Sequence, residues 1–311
     1  MSESTTRFVD GPVTVVTPAS SANLGPGFDA LGLGLTLYDE VTAEVVGGDG
    51  VEVTVTGVGA DEVPLDESHL VVRSLRAVFE RLGLSQPGLR VHCVNRIPHA
   101  RGLGSSSAAI VGGISAARAL LAVDEPSPEV AFDDAAALRL ATDIEGHPDN
   151  VAAALLGGLT IAWMDDQGGR AVRLEAPVSA VAFVPSEGVK TEVARGLLPE
   201  SVPHADAARN AGRAALLVAA FGAHPELLLE ATDDRLHQRY RAPAMPDSFA
   251  LVEAMRAAGV PAIISGAGPT VLAFVTDAYD QARLVSQAPA GWAVLPLQVD
   301  QWGTRPAATA R

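Results

Sequence analysis

The stretch PHARGLGSSSAA, residues 98–109, limits what this chain can fold into more than any other part of the sequence. It follows a β-like run, LRVHCVN at 89–95, and opens a helix predicted from Ser105 to about Leu121. Because that helix is apolar nearly all round, it is expected to be buried. Glycines that let backbone approach an anion, serine hydroxyls and the unpaired N–H groups of a helix start together predict a phosphate cradle. A serine-capped helix after a glycine turn is the structural alternative.

The predicted cradle has no lysine of its own. Lys190 is the single lysine of the chain, beside 21 arginines, and it lies in a polar turn, SEGVKTE. No Walker A sequence occurs anywhere in the chain. The GLGSSSAA string also resembles a dinucleotide fingerprint, but the third glycine and a preceding N-terminal βα unit are missing. We therefore expect a nucleotide phosphate to be held without lysine, and we disfavour a Rossmann oxidoreductase.

Charge and cysteine content exclude several classes of protein. A formal charge of −15 argues against non-specific nucleic-acid binding, which depends on clustered lysines and arginines. One cysteine, Cys93, allows neither an internal disulfide nor a cysteine-based zinc site, so the reducing cytoplasm is the expected location. Apolar runs such as residues 214–221 are far shorter than a bilayer span, and the polar start lacks a secretory stretch. These observations favour a small-molecule partner, with no nucleic acid and no membrane.

Predicted strands and helices are mixed along the 311 residues, a length that favours two domains. Strands are predicted within 13–55, with a long loop, PASSANLGPGFDALGLG, between the first two. An amphipathic helix is predicted over 67–82, and a further helix over about 128–144. Because strict βα alternation is missing, the pattern predicts an α+β fold.

The polar, glycine-rich run DDQGGR, residues 165–170, is the expected boundary between the halves. It divides the chain into a first domain over 1–165, which would carry the predicted phosphate cradle, and a second over 166–311. The second domain would complete the substrate pocket.

Three further segments carry polar side chains that could bind a ligand. The loop 18–29, PASSANLGPGFD, offers Asn23 and Asp29 to a hydroxyl or an ammonium group, although Asx turns explain the same residues. In EGHPDN, 145–150, a carboxylate, an imidazole and an amide could serve Mg²⁺ and a substrate, with N-capping by His147 or Asp149 as the alternative. The glycines of SGAGPT, 265–270, indicate a tight turn or a close ligand approach.

The order and spacing of these segments resemble the GHMP kinase superfamily. Its first motif is similar to P-x(4)-N-L-G-x-G-F-D at 18–29, its second to P-x(3)-G-L-G-S-S-x-A-A at 98–109, and its third to G-x-G-P-T at 266–270. NLGPGFD and HPDN are most similar to the members that phosphorylate L-homoserine. The resemblance covers nearly the whole chain.

This resemblance implies two α+β domains with the active site between them. The N-terminal domain would be similar to the ribosomal protein S5 domain 2-like fold, which contains a left-handed βαβ crossover, an exception to the usual right-handed rule. The C-terminal domain would be similar to the GHMP kinase C-terminal domain. The implied reaction uses ATP and Mg²⁺ to phosphorylate the side-chain hydroxyl of L-homoserine, giving O-phospho-L-homoserine for threonine biosynthesis.

The resemblance also assigns roles by position. The ATP phosphates would lie along Pro98, His99, Ala100, Arg101, Gly102, Leu103, Gly104, Ser105, Ser106, Ser107 and Ala108. Either Ser105 or Ser106, with Ser106 preferred, would hold Mg²⁺ together with Glu145. The amino-acid pocket would contain Asn23, Asp29, His147, Asn150, Thr191, Arg195, Arg241 and Gly266. Among these, Asn150, Asp29 and His147 would be the catalytic residues.

The implied mechanism follows from Asn150, which stands where some superfamily members have an aspartate base. An amide cannot take a proton at neutral pH, so catalysis would rest on positioning and charge neutralisation, with Asp149 holding the loop. Arg195 and Arg241 would bind an α-carboxylate, which together with Asp29 would separate an amino acid from a sugar or mevalonate. The alternatives are a GHMP kinase for such another hydroxyl metabolite and a non-catalytic nucleotide-binding relative. A homodimer is left open.

Overall fold

The computed structural model describes residues 7–122 and 132–308. The strands are β1 (Arg7–Phe8), β2 (Val13–Ala22), β3 (Leu31–Val46), β4 (Val51–Gly57), β5 (Gly88–Asn95), β6 (Leu121–Ala122), β7 (Leu159–Asp165), β8 (Gly168–Leu174), β9 (Ser179–Val184), β10 (Ala262–Ile264), β11 (Val271–Val275), β12 (Ala293–Gln298) and β13 (Arg305–Pro306). The helices are α1 (Leu70–Arg81), α2 (Ser105–Leu120), α3 (Asp134–Glu145), α4 (Pro148–Leu156), α5 (Thr191–Arg195), α6 (His204–Gly222), α7 (Leu228–Ala231), α8 (Gln238–Arg241), α9 (Pro246–Ala257) and α10 (Ala278–Val285), with 3₁₀ turns at Pro225–Leu227 and Ala242–Ala244. None of these helices combines the length and the apolar character needed to cross a membrane.

A seven-stranded mixed sheet forms the first half of the molecule. Its order is β13–β2–β3–β5–β4, and β7 and β8 continue it from β3. The 16-residue strand β3 causes this branching, because its start pairs with β7 while its end pairs with β5. Strands β4 and β5 are parallel and α1 connects them, whereas the other pairs of this sheet are antiparallel.

Helices α1 to α4 pack against this sheet. Helix α1 buries Val71, Leu75 and Phe79, which recur at the spacing of one helical face. Helix α2 is buried over most of its length, as its apolar sequence predicts. It lies close against α1 at Gly113, where a Cβ would be 2.4 Å from the carbonyl oxygen of Val71. Their side chains share one apolar core with β2, β3 and β5, and this packing fixes the position of α2.

A four-stranded antiparallel sheet, ordered β10–β11–β9–β12, forms the other half. Helices α9 and α10 pack on one of its faces. On the opposite face, Phe221 of α6 meets Phe274 of β11 edge to face, with ring centroids 5.0 Å apart. The same core contains Leu33 and Leu35 of β3, so apolar contacts hold the two halves together.

Two segments differ from the sequence predictions. The predicted loop between the first two strands is too long, because β2 and β3 stay paired as far as Ala22 and Gly32, past a bulge at Pro18/Ala19. Of the helix predicted over about 128–144, α3 is observed from Asp134 onward, with Asp133 as its extended N-cap, and residues 128–131 lie outside the described residues.

Residues 299–306 return to the first sheet from the second half. Val299 bridges Leu35, and Arg305 of β13 pairs with Val16 of β2. Asp300 is 2% exposed and accepts hydrogen bonds from the Tyr38 hydroxyl at 2.7 Å and from Arg305 at 3.1 Å. Strand β8 also pairs with β7 across the turn at 165/166, so the seven-stranded sheet draws on residues from both sides of the predicted boundary. The division at that position stays a prediction.

Candidate active site

A cleft of about 540 Å³ lies between the two halves. The first half contributes the end of β2, the loop before α2 and the junction of α3 with α4, and the second half contributes α5, α8 and the turn after β10. The polar residues of its lining are Asn23, Ser105, Ser106, Glu145, His147, Asp149, Asn150, Thr191, Glu192, Arg195 and Arg241. Such a lining suits a small polar ligand.

The loop 98–104 enters α2 through Gly104, whose φ is +71°. A side chain there would collide with Ser20, because a Cβ would lie 2.0 Å from its Oγ. No side chain caps the first turn of α2, and the N–H groups of 105–107 have no partner within the helix. Since Ser105 and Ser106 line the cleft, this turn and the helix dipole can bind an anion without lysine.

The last residue of α3 faces this same turn of α2. Oε1 of Glu145 accepts hydrogen bonds from the hydroxyls of Ser106 at 2.8 Å and Ser107 at 2.9 Å. Mg²⁺ prefers oxygen ligands and is commonly held by one or two carboxylates together with phosphate oxygens. Within 7–122 and 132–308 no cluster of three or more His, Cys, Asp or Glu side chains could hold a metal. The hydroxyl and carboxylate pair fits Mg²⁺ as a partial ligand set.

A smaller cavity of about 260 Å³ lies beside the start of α2. It shares Ser105 and Ser106 with the cleft, so the two spaces meet at the phosphate-binding turn. Its apolar walls are Val41, Val63, Pro64, Leu70, Val71, Ala108 and Ala109. His69 also lines it, is 4% exposed, and has no hydrogen-bond partner for Nδ1 among the described residues. An apolar cavity with an available polar ring atom suits an aromatic base.

An ion pair joins the loop after β2 to helix α5. Arg195 donates from Nη2 to Oδ1 of Asp29 at 2.7 Å and from Nη1 to Oδ2 at 3.1 Å. These hydrogen bonds raise the pKa of Arg195. The side-chain amide of Asn23 supports the same loop, because it accepts from the Asp29 N–H at 3.0 Å and donates to the Gly266 carbonyl at 2.8 Å. Asn23 therefore links the loop to the turn after β10.

Arg241 is a buried cation with no carboxylate within 4 Å in the part of the chain that the structure describes. It is 1% exposed, and burial lowers its pKa. Its Nη1 donates to the Gly266 carbonyl at 3.2 Å and lies 3.2 Å from Nδ1 of His237, whereas Nε has no partner. The guanidinium lies over the ring of Phe28 at 5.3 Å. Because a buried charge without a counter-ion is costly, Arg241 is suited to an anionic group of a ligand.

Three polar residues mark the start of α4. Oδ1 of Asp149 lies 3.0 Å from Nδ1 of His147 and accepts from the Asn150 N–H at 2.7 Å. The hydrogen bond to Asp149 raises the pKa of His147. The Ser20 hydroxyl donates to Oδ1 of Asn150 at 2.9 Å, which leaves the Asn150 amide nitrogen free to donate to a ligand. Asp149 itself is 2% exposed, and its contact with Nδ1 holds the His147 ring in place.

The cleft brings together most of the residues predicted to bind substrate. Those that line it are Asn23, His147, Asn150, Thr191, Arg195, Arg241 and Gly266, and Asp29 joins them through Arg195. Both predicted magnesium ligands, Ser106 and Glu145, also line it. From the predicted phosphate stretch the lining includes Ala100, Gly102, Gly104, Ser105 and Ser106. The roles of all these residues remain predictions.

The other residues of the phosphate stretch face elsewhere. Leu103 lies in the apolar core, and His99 and Ala108 line the smaller cavity. Pro98 lines a separate surface pocket. The guanidinium of Arg101 donates to the carbonyls of His99 at 2.8 Å and Pro185 at 3.3 Å, and also to that of Ser186. Its charge is therefore directed at backbone carbonyls.

Sequence reasoning missed Glu192, which lines the cleft, and three side chains that contact lining residues: Ser20, Phe28 and His237. Ser20 and Phe28 lie inside the first motif, in which only Asn23 and Asp29 are predicted to bind a ligand. His237 precedes Arg241 by four residues, the spacing of one helical face, and that spacing is the signal that could have identified it.

Comparison with known proteins agrees with this fold. Residues 69–158 match the family model of the GHMP kinases N terminal domain, and residues 207–294 match that of the GHMP kinases C terminal domain. Together the two matches cover more than half of the chain. The chain therefore belongs to the GHMP kinase family.

Within that family its relatives are homoserine kinases. The homoserine kinase of Streptomyces coelicolor is 57% identical over 307 residues, covering 97% of each chain. That of Clavibacter michiganensis is 52% identical over 298 residues, covering 94% of this chain and 93% of the relative. The crystal structure of homoserine kinase from Cytophaga hutchinsonii superposes with a TM-score of 0.83 at 28% identity, over 97% of this chain and 99% of that one. Mevalonate kinase of L. major, at 15% identity and a TM-score of 0.65 over 97% and 100% of the chains, shares the fold.

Proposed function

We propose that this protein is a homoserine kinase, which transfers the terminal phosphate of ATP to the side-chain hydroxyl of L-homoserine and forms O-phospho-L-homoserine for threonine biosynthesis. The observation that carries the substrate is the buried, carboxylate-free Arg241 beside the Asp29–Arg195 pair. An amino acid supplies a carboxylate for Arg241, and its ammonium group can bind to Asp29 beside Arg195. Location in the reducing cytoplasm fits the single cysteine.

The nucleotide is assigned to the two spaces that meet at Ser105 and Ser106. The first turn of α2 binds the phosphates through its free N–H groups and its dipole. The adenine ring occupies the apolar cavity, where Nδ1 of His69 is available to it. Ser106 and Glu145 would hold Mg²⁺, which when bound neutralises charge on the phosphate oxygens.

The amino acid is assigned to the opposite end of the cleft. Arg241 binds the carboxylate, and Asp29 accepts from the ammonium through lone pairs that Arg195 leaves unused. Asn23 holds the backbone of this loop in place. With both charged groups fixed, the side-chain hydroxyl extends toward His147 and Asn150 and the phosphate-binding turn.

The transfer step needs positioning more than a base. The hydroxyl oxygen forms a bond to the γ-phosphorus while the bond to the β,γ-bridging oxygen breaks, ADP leaves, and the hydroxyl proton goes to solvent late in the step. Asn150 cannot accept that proton, because a side-chain amide is not a base at neutral pH and its carbonyl oxygen already accepts from Ser20. Its amide nitrogen donates to the substrate oxygen and orients that oxygen for in-line attack.

A set of matched substrates tests this function by ADP release. L-Homoserine is compared with 4-hydroxybutyrate, which lacks only the ammonium group, and with 3-amino-1-propanol, which lacks only the carboxylate. Because a site built for charged partners rejects analogues that leave them unpaired, kcat/KM should fall by at least about 100-fold for each analogue. L-Serine, L-threonine and mevalonate complete the set. Turnover of L-homoserine no higher than background would overturn the assignment.

A further inference from the structure

His237 is fully buried behind Arg241 and has no contact with the cleft itself. It is 0% exposed and precedes α8, so that Arg241 lies one helical turn further along. Its ring stacks on Phe28, with centroids 5.1 Å apart and planes inclined at 29°. Phe28 in turn lies under the guanidinium of Arg241. The three side chains form a compact stack in which His237 and Arg241 are buried and Phe28 is half-buried.

The hydrogen bonds of His237 fix its tautomer. Nε2 lies 2.8 Å from the Gly25 carbonyl oxygen, which can only accept, so Nε2 carries the proton. Burial lowers the pKa of His237, which keeps the ring neutral and Nδ1 unprotonated. Nδ1 is therefore an acceptor, and Nη1 of Arg241 donates to it at 3.2 Å. Asp234, whose Oδ2 is 3.8 Å from Nε2, is the carboxylate nearest to the ring.

This bond restricts what Arg241 can offer to a ligand. Nη1 is used by His237 and by the Gly266 carbonyl. Nε has no partner, and no hydrogen bond from Nη2 occurs within the described residues. Nε and Nη2 form one edge of the guanidinium, and two parallel N–H bonds from one edge bind a carboxylate. The free edge is therefore the one that includes Nε.

We propose that His237 is a positioning residue that holds Arg241 by Nη1, so that the Nε–Nη2 edge binds the substrate carboxylate. The proposal rests on the proposed function, because it assigns the carboxylate to that site. A purely structural role is the competing explanation, since the bond from Nε2 to Gly25 also holds the loop 23–29. The two roles use different nitrogens of the ring and can be separated.

Two substitutions of His237 each remove one of its two hydrogen bonds and keep the other. In His237→Asn, Oδ1 takes the approximate place of Nδ1 and can still accept from Arg241, but the bond to Gly25 is lost. In His237→Gln, Nε2 takes the approximate place of the imidazole Nε2 and can still donate to Gly25, but the acceptor for Arg241 is lost. We expect His237→Gln to raise KM for L-homoserine about 10- to 100-fold and His237→Asn to raise it less than about threefold. KM for ATP should change little in either, and His204→Gln, at an exposed position, controls for the residue change.

The carboxylate-free substrate 3-amino-1-propanol supplies a readout that a structural role would not give. If His237 acts through the carboxylate, wild type and His237→Gln turn it over with equal kcat/KM. The proposal would be overturned if His237→Gln lowered kcat/KM equally for L-homoserine and for 3-amino-1-propanol. It would also be overturned if His237→Gln and His237→Asn had equal KM values for L-homoserine. If the wild-type protein did not phosphorylate L-homoserine, the proposed function itself would be wrong. Should the variants not fold, ¹⁵N NMR of the wild-type histidines still decides: a buried ring protonated at Nε2 alone is expected, and protonation at Nδ1 contradicts the proposal.

Discussion

The guanidinium of Arg195 holds both carboxylate oxygens of Asp29, at 2.7 and 3.1 Å, and so joins the first half of the molecule to the second at the rim of the cleft. Each side chain is 37% exposed, so the pair is open to a ligand. Two arginines, Arg195 and Arg241, line the cleft, and their contacts differ. Arg195 orients a carboxylate of the protein, whereas Arg241 is available for a carboxylate of the ligand.

Replacing Arg195 by lysine should weaken homoserine binding while keeping the charge. A lysine ammonium cannot make the two-point contact, so Asp29 would lose its fixed orientation and KM for L-homoserine should rise about tenfold. The matched control is Arg209→Lys, which alters an equally direct contact to Asp233 outside the cleft and should leave both KM values unchanged. An Arg195→Lys enzyme with wild-type kinetics would show that Asp29 needs no such partner.

Arg241→Met should make the protein more stable and less active. The substitution removes a buried cation that has no carboxylate partner in the described chain. Replacing buried ion pairs by apolar side chains of similar volume is often neutral or stabilising by about 1–4 kcal/mol, and we expect a gain in that range here. The same change removes the carboxylate site, so KM for L-homoserine should rise more than about 100-fold. Thermal unfolding and steady-state kinetics measure the two effects. Arg239→Met, at an exposed position of the same helix, is the control, and a large drop in Tm for Arg241→Met would contradict the prediction.

Glu145→Gln should raise the Mg²⁺ concentration needed for half-maximal activity. The amide keeps the size of the side chain but removes the negative charge beside Ser106 and Ser107. We expect a shift of about tenfold or more, measured by titrating Mg²⁺ at saturating ATP. Asp143→Asn, an exposed carboxylate on the same helix, should cause no shift. Identical curves for Glu145→Gln and wild type would remove Glu145 from the metal site.

Gly102→Ala should destabilise the protein and weaken ATP binding. The φ of Gly102 is +73°, and a Cβ there would lie 2.3 Å from the Ser265 carbonyl oxygen, so the loop and the turn after β10 must separate. The free energy of unfolding should fall by at least about 1–2 kcal/mol, and KM for ATP should rise. Gly212→Ala in α6, where nothing lies within 4 Å, should instead stabilise by about 0.5–1 kcal/mol. Both variants are compared by urea unfolding, and a neutral Gly102→Ala would show that the loop has more room than the distances indicate.

Cys93 should not react with thiol reagents in the native protein. Burial raises the pKa of its thiol to about 12, so almost no thiolate forms at pH 8, and the side chain is 1% exposed. A chromogenic disulfide reagent should release no signal until urea unfolds the chain, and one equivalent afterwards. Rapid native labelling would mean that the β3–β5 core opens readily.

The resemblance to the family was sufficient to predict most of the polar residues that line the cleft, although Glu192 was not among them. Contacts between motifs could not be predicted in this way. The sequence gives no sign that Arg195 is paired and Arg241 is not, since that difference depends on where α5 and α8 pack. Likewise Ser20 meets Asn150 across 130 positions of sequence, so the orientation of that amide depends on the fold.

The local sequence pattern also could not predict how far the strands around the first motif extend. Residues 19–22 and 31–34 are rich in Gly, Ser and Ala, which are weak strand formers, yet they pair with each other as strands. Residues 31–33 also pair with β7, a strand from a distant part of the chain. Strand formation here is imposed by neighbours, and the propensity of the individual residues is secondary.

The return of residues 299–306 to the first sheet has a consequence for biosynthesis. Strand β2, which leads into Asn23 and the substrate loop, emerges from the ribosome early, but its partner β13 and the Asp300 anchor emerge after almost all the other described residues. Until β13 has been synthesised, the β2 edge of the first sheet lacks this partner strand. Chains that lack residues 299–306 are therefore expected to be more sensitive to protease than chains that contain them.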